Sequence, residues 1–195
     1  PGPAAAQQRL VEGRDFIRLD RPAQVPSDGH VHVVEFFWYG CPHCNAFEPS
    51  LEAWVAKLPA DVRFRRVPYD YDEALRENHA RIFCVLEALG RVDDLQAKVF
   101  DRFHRQHRPI DDLATMTDFA HDNGLDVARV RAAWNSFTTD TRLKEYKAEC
   151  KAYGVDFVPL LGIQGRFLTT PRADSDATRA LVATDTLINL VRRGG

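Results

Sequence analysis

The sequence predicts an α/β fold interrupted by an all-helical insertion, and three observations carry that prediction. His30 to Tyr39 reads HVHVVEFFWY, a nearly continuous β-branched and aromatic run, as expected of a central strand buried on both faces. A helical pattern follows at once, and then a second strand-like run. From Glu73 to Cys150 the pattern is helical almost throughout, far longer than the roughly 4–6 residues of an ordinary connection. So long a block with its own apolar stripes predicts an inserted subdomain with a core of its own.

The elements follow in order. Gly40 ends the first strong strand. From Pro42, the residues Phe47, Leu51, Trp54, Val55 and Leu58 recur at helical steps. Pro42 suits the first helical turn, where its missing N–H costs nothing, whereas Pro49 predicts a kink. Val62 to Tyr69 predicts a strand. In the insertion, Ile82, Val85, Leu86 and Leu89 form one stripe closed by Gly90, and Leu95, Val99 and Phe103 form the next. Asp111–Asp112 can cap a helix carrying Leu113, Met116 and Phe119 that stops at Asn123–Gly124. Val127, Val130 and Trp134, then Leu143, Tyr146, Cys150 and Tyr153, complete the block. Phe157 to Ile163 and Arg166 to Thr170 predict a hairpin turning at Gln164–Gly165, and Ala177 to Val191 a final amphipathic helix.

Composition narrows the function. The chain has 195 residues, 45% hydrophobic and 28% charged, with a net charge of −2. Such a balance provides no basic field to hold nucleic acid or an anionic membrane. No apolar run reaches the roughly 18 residues of a spanning helix. Pro1 to Gln8 is small and polar and lacks the pattern of a signal peptide, which says little about the compartment.

The chemistry concentrates in Cys41–Pro42–His43–Cys44. A cysteine at the junction of a buried strand and a helix sits where unpaired N–H groups and the helix dipole stabilise an anion. Its thiolate is the attacking and leaving species in disulfide exchange. Cys44, one turn on, can close the ring. His43 adds a donor and, when protonated, a positive charge. Each pH unit by which Cys41 is acidified stabilises the reduced form by about 1.4 kcal/mol and raises the reduction potential by roughly 30 mV. The pair is therefore expected to give its disulfide away, with no metal and no cofactor. Structural zinc would need four ligands, and Cys84 and Cys150 have no partner at matching spacing.

The run EFFWYGCPHC, from Glu35 to Cys44, resembles the DsbA family of bacterial periplasmic thiol:disulfide oxidoreductases, which has the thioredoxin fold. The likeness extends to VEGRDFIRLDRPA (Val11 to Ala23), similar to the family's first strand, and to AWNSF (Ala133 to Phe137), similar to part of its helical insertion. GVDFVPLLGIQGRFLT (Gly154 to Thr169) resembles its cis-proline loop and hairpin. The resemblance likewise implies a depressed pKa for Cys41.

The resemblance implies roles for matching residues. Cys41 would be the attacked, solvent-facing sulfur, Cys44 the buried partner, and His43 the group that tunes the thiolate. Pro159 would be the cis proline against the pair, with Val158 offering backbone hydrogen bonds to an extended substrate. Glu35 would be a buried carboxylate beneath the site. Arg66 stands where the family often has a lysine, although Arg63 and Arg65 compete for that place. Leu160 departs from the small or hydroxylated residue usual after the cis proline, which bears on substrate contact.

The implied organisation is a thioredoxin-like domain of residues 1–70 and 147–195 around a helical insertion of residues 71–146. The implied activity is oxidation of cysteine pairs in newly exported proteins in the periplasm, by a monomer reoxidised by a membrane partner of the DsbB type. Competing readings are a disulfide isomerase or reductase of the same fold and a peptide-holding chaperone. Cys84 and Cys150 lie outside the family pattern. A second, structural disulfide between them would tie the two ends of the insertion together, while two buried free thiols is the opposing expectation. The histidines other than His43 are expected at the surface.

Overall fold

The computed structural model describes residues 10–171 and 177–194. The opening Pro1–Gln8 stretch lies outside the described residues. Five strands form one sheet: β1 (Ile17–Arg18), β2 (Val31–Phe37), β3 (Val62–Pro68), β4 (Leu160–Ile163) and β5 (Phe167–Thr169). Their spatial order is β1-β5-β4-β2-β3. The crossover helix α1 (Pro42–Val55) makes β2 and β3 parallel, and the other pairs are antiparallel.

The period of two explains why the β2 sequence is so continuously apolar. Val31 and Val33 point to the side occupied by α1 and α7 (Ala177–Arg192), where they pack with Ile163, Leu187 and Ile188. Val34 and Phe36 point to the other side, where Phe36 meets Tyr153 with ring centroids 5.0 Å apart. The strand is thus buried from both faces, as its composition requires.

Helices α2 (Ala74–Ala88), α3 (Val92–His104), α4 (Leu113–Asp122), α5 (Val127–Trp134) and α6 (Phe137–Tyr153) make the insertion. Their starts follow local chemistry. Asp112 and Thr115 form a capping box, and Asp126 and Ser136 cap the next two helices with their side chains. The core of the insertion is continuous with that of the sheet. Ile82, Val85, Leu95, Val99 and Phe119 belong to one apolar cluster with Phe36, Phe37, Val67 and both Cys41 and Cys44. The helices pack chiefly on one another, α2 on α6 and α5, and α4 on α5, while α2 and α6 also reach β3.

One expected boundary differs. Helix α6 runs unbroken through residue 146, where the sequence places the end of the insertion. It stops at Gly154, whose left-handed φ of 64° suits a residue without Cβ. Helix α6 is therefore shared: it packs on α2 and also on β3. Cys84 and Cys150 are both buried and, like Cys41 and Cys44, stand as thiols in this structure. Free cysteine packs as a small apolar residue, which is the environment each occupies.

Candidate active site

The site is built where β2 ends and α1 begins. After Phe37, the chain turns through Trp38, Tyr39 and Gly40, and the Cys41 N–H closes the turn on the Trp38 carbonyl at 3.0 Å. Gly40 is required there, because a Cβ would fall 2.3 Å from Cζ2 of the Trp38 indole. Cys41 is the N-cap of α1, extended at φ −82° and ψ 116°, with Pro42 following in the first turn. Its sulfur takes the place a capping oxygen would occupy and accepts the Cys44 N–H at 3.2 Å.

The two thiols are unequal. Cys41, expected to face solvent, is only 6% exposed because the cis-proline loop lies against it, and Cys44 is 0% exposed. Hydrogen bonding from the Cys44 thiol, then from the Cys44 and His43 backbone N–H groups, and last the charge of His43, pull Cys41 down to about 6 against a burial penalty. Burial drives Cys44 strongly the other way. One sulfur is thus a thiolate at neutral pH and the other a protonated thiol. His43 is exposed, so the charge it brings is screened by water.

The Val158–Pro159 bond is cis and brings β4 against the pair. The Cys41 sulfur lies 3.7 Å from the Val158 carbonyl oxygen. Thr170 donates to the Pro159 carbonyl at 2.8 Å and so braces the loop from β5's far end. Leu160 is 1% exposed and stands opposite Phe36 in the sheet. Its side chain fills the core and presents no surface to a substrate.

Beneath the thiols lies a charged cluster. Glu35 is 0% exposed and stands beside Arg66 in the parallel β2–β3 register. Arg66 Nε donates to Glu35 Oε2 at 3.0 Å, and the same guanidinium reaches Glu48 at 2.9 Å and also Glu52. Arg65, on the opposite face of the strand, pairs with Glu149, and Arg63 donates to the Ala60 carbonyl, so Arg66 alone occupies the place the three arginines competed for. One guanidinium cannot neutralise three carboxylates. Burial accordingly raises Glu35 to about 7 and Glu48 to about 8, with Arg66 opposing the rise in both. Oε1 of Glu35 and Oε2 of Glu48 are buried without a hydrogen-bond partner, which fits carboxyls held near the edge of ionisation.

Sequence reasoning missed Glu48 and Glu52 altogether. A signal existed for the first of them. Cys44 and Glu48 are four residues apart on the same helical face as Leu51, so an acid there faces inward. It also misplaced His79, expected at the surface but 4% exposed, and His104, whose Nε2 hydrogen-bonds the Tyr39 carbonyl at 2.7 Å.

Comparison with known proteins agrees with this geometry. Residues 26–183 match the thioredoxin family. The thiol:disulfide interchange protein DsbA of Pseudomonas aeruginosa is 35% identical over 166 residues, covering 85% of this chain and 78% of that one. The Burkholderia cepacia protein of the same name is 32% identical, covering 93% of this chain and 86% of that one. The crystal structure of P. aeruginosa DsbA superposes with a TM-score of 0.89 at 32% identity, over 95% of this chain and 96% of that one. With its α/β thioredoxin fold, its helical insertion and its Cys41–Cys44 pair, the chain is a dithiol:disulfide oxidoreductase and belongs to the DsbA family.

Proposed function

We propose that this protein oxidises newly exported proteins in the periplasm by donating the Cys41–Cys44 disulfide through a mixed disulfide. The observation that carries the reading is the inequality of the two thiols, one stabilised as a leaving thiolate beside the cis-proline loop and one buried and protonated. In the oxidised protein, a substrate thiolate attacks the Cys41 sulfur. The Cys41–Cys44 bond breaks, and Cys44 leaves with the electron pair and takes up a proton. Glu35 and Glu48, close below, are acids of suitable strength to be that proton's source. The second substrate thiolate then attacks the substrate's own sulfur in the mixed disulfide and expels Cys41 as a thiolate. The substrate loses two electrons, the protein gains them, and no cofactor is needed.

The backbone of Val158 suits an extended substrate segment laid beside Cys41. A membrane reoxidase of the DsbB type would restore the disulfide, and the protein would act as a monomer. The test is oxidation of a reduced, unfolded secreted protein by the oxidised enzyme, followed as substrate thiols lost. One substrate disulfide per enzyme is expected, and none with Cys41→Ala. Equal folding assistance by Cys41→Ala would favour a peptide-holding chaperone. A clear preference for rearranging existing disulfides would favour an isomerase.

A further inference from the structure

A chain of hydrogen bonds joins the active-site turn to the insertion, and the thiol chemistry described above does not use it. Trp38 immediately follows the end of β2, His79 lies on α2, and Asp111 precedes α4. The Trp38 indole N–H donates to His79 Nδ1 at 2.9 Å, and His79 Nε2 lies 2.8 Å from Asp111 Oδ1. An indole nitrogen can only donate, so Nδ1 is the acceptor and the proton of neutral His79 resides on Nε2, directed to Asp111. The two ring planes lie 15° apart, and Phe103 packs edge-on against the imidazole with ring centroids 4.9 Å apart. The indole lies against Gly40, the residue before Cys41, and the Trp38 carbonyl holds the Cys41 N–H. On the indole's outer side, the Arg76 guanidinium lies 4.4 Å from its ring and 4.4 Å from the ring of Tyr71.

We infer that His79 is a positioning residue for the oxidoreductase reaction: it fixes the Trp38 indole, and through it the turn that presents Cys41, from the helical insertion. The inference rests on the thiol:disulfide reading of the site, and it assigns the insertion a part in setting the reactive thiolate. Because the link works only while Nδ1 accepts, it is also pH-dependent. The groups facing His79 are Trp38 and Phe103, both uncharged, with Asp111 favouring the imidazolium and Arg76 opposing it. Burial, the largest influence, disfavours the imidazolium and holds the pKa below its ordinary value, so the link persists into mildly acidic solution.

Three variants separate the parts. Trp38→Phe keeps an aromatic ring but removes the donor together with the outer ring that lies over Gly40. His79→Asn can keep an acceptor near the Nδ1 position and loses the bond to Asp111. His79→Gln can keep the donor to Asp111 and loses the acceptor. The Trp38 indole N–H should be shifted downfield and slow to exchange in nuclear magnetic resonance spectra at neutral pH, and should lose both properties in one acid step. His79→Gln should abolish them, and His79→Asn should retain them in part. The Cys41 titration, followed by thiolate absorbance, should rise by about half a pH unit in Trp38→Phe and His79→Gln, and by less in His79→Asn. That size corresponds to one buried hydrogen bond acting through a turn. A Cys41 titration unchanged in all three folded variants would overturn the inference, as would a Trp38 N–H that exchanges freely in the parent. Both readouts are independent of substrate oxidation, so loss of the proposed oxidase function would not be mistaken for loss of this link.

Discussion

Replacing Cys44 with alanine removes the group that does most to hold Cys41 as a thiolate. Cys41 is drawn to about 6 from an ordinary 9.0, and the Cys44 thiol is the leading cause, ahead of the backbone N–H groups and the charge of His43. The whole drop corresponds to about 4 kcal/mol. A hydrogen bond to a charged acceptor contributes about 1.5–3 kcal/mol of such a difference. Cys44→Ala should therefore raise the Cys41 pKa by about one to two pH units, while the backbone N–H at 3.2 Å remains. The same substitution changes the pH dependence of stability in the reduced protein. A lowered thiol pKa contributes stability that is complete above pH 9 and is lost as the pH falls through about 6. At pH 7 that contribution is about 1.4 kcal/mol in the parent and should fall below about 0.5 kcal/mol in Cys44→Ala. The assay is the pH profile of thiolate absorbance and of alkylation by iodoacetamide, with the labelled residue mapped by mass. A midpoint that stays near 6 in Cys44→Ala would refute the reasoning, and so would Cys44 in the parent labelling as fast as Cys41.

Three further outcomes are expected. His43→Ser should make a weaker oxidant, but only slightly, because the charge of His43 ranks last among the causes acting on Cys41. A fall in potential of roughly 15 mV on equilibration with glutathione is expected, and an unchanged or higher potential would remove His43 from the mechanism. Arg66→Met leaves Glu35 and Glu48 buried without their shared cation and should cost about 3–5 kcal/mol near pH 8. The cost should shrink by pH 5, where both carboxyls, already raised to about 7 and about 8, are protonated; urea unfolding at the two pH values measures it. Gly40→Ala places a Cβ 2.3 Å from the Trp38 ring and should cost about 1–3 kcal/mol by thermal unfolding, together with a changed tryptophan emission.

The sequence by itself determined the α/β order, the helical insertion, and the identity and inequality of the two active cysteines. Those properties are local. A buried strand is recognisable from its continuous apolar run, a helix start from Pro42, and thiolate chemistry from a cysteine at that start. Pairings across the fold were not determined by it. Glu35 and Arg66 are 31 residues apart and meet because β2 and β3 run parallel in a register that no local pattern specifies. Glu48 completes the cluster only once α1 is laid over that sheet. Cys84 and Cys150 are both buried, a matter of side-chain placement about which cysteine counting is silent. The insertion's apolar stripes announced burial but not their partners, which are chiefly one another, with α2 and α6 also reaching the sheet. His79 shows the reason most directly. A histidine on a helix looks much the same to sequence reasoning whether it faces water or an indole, and only the tertiary fold brings Trp38, His79 and Asp111 into one line.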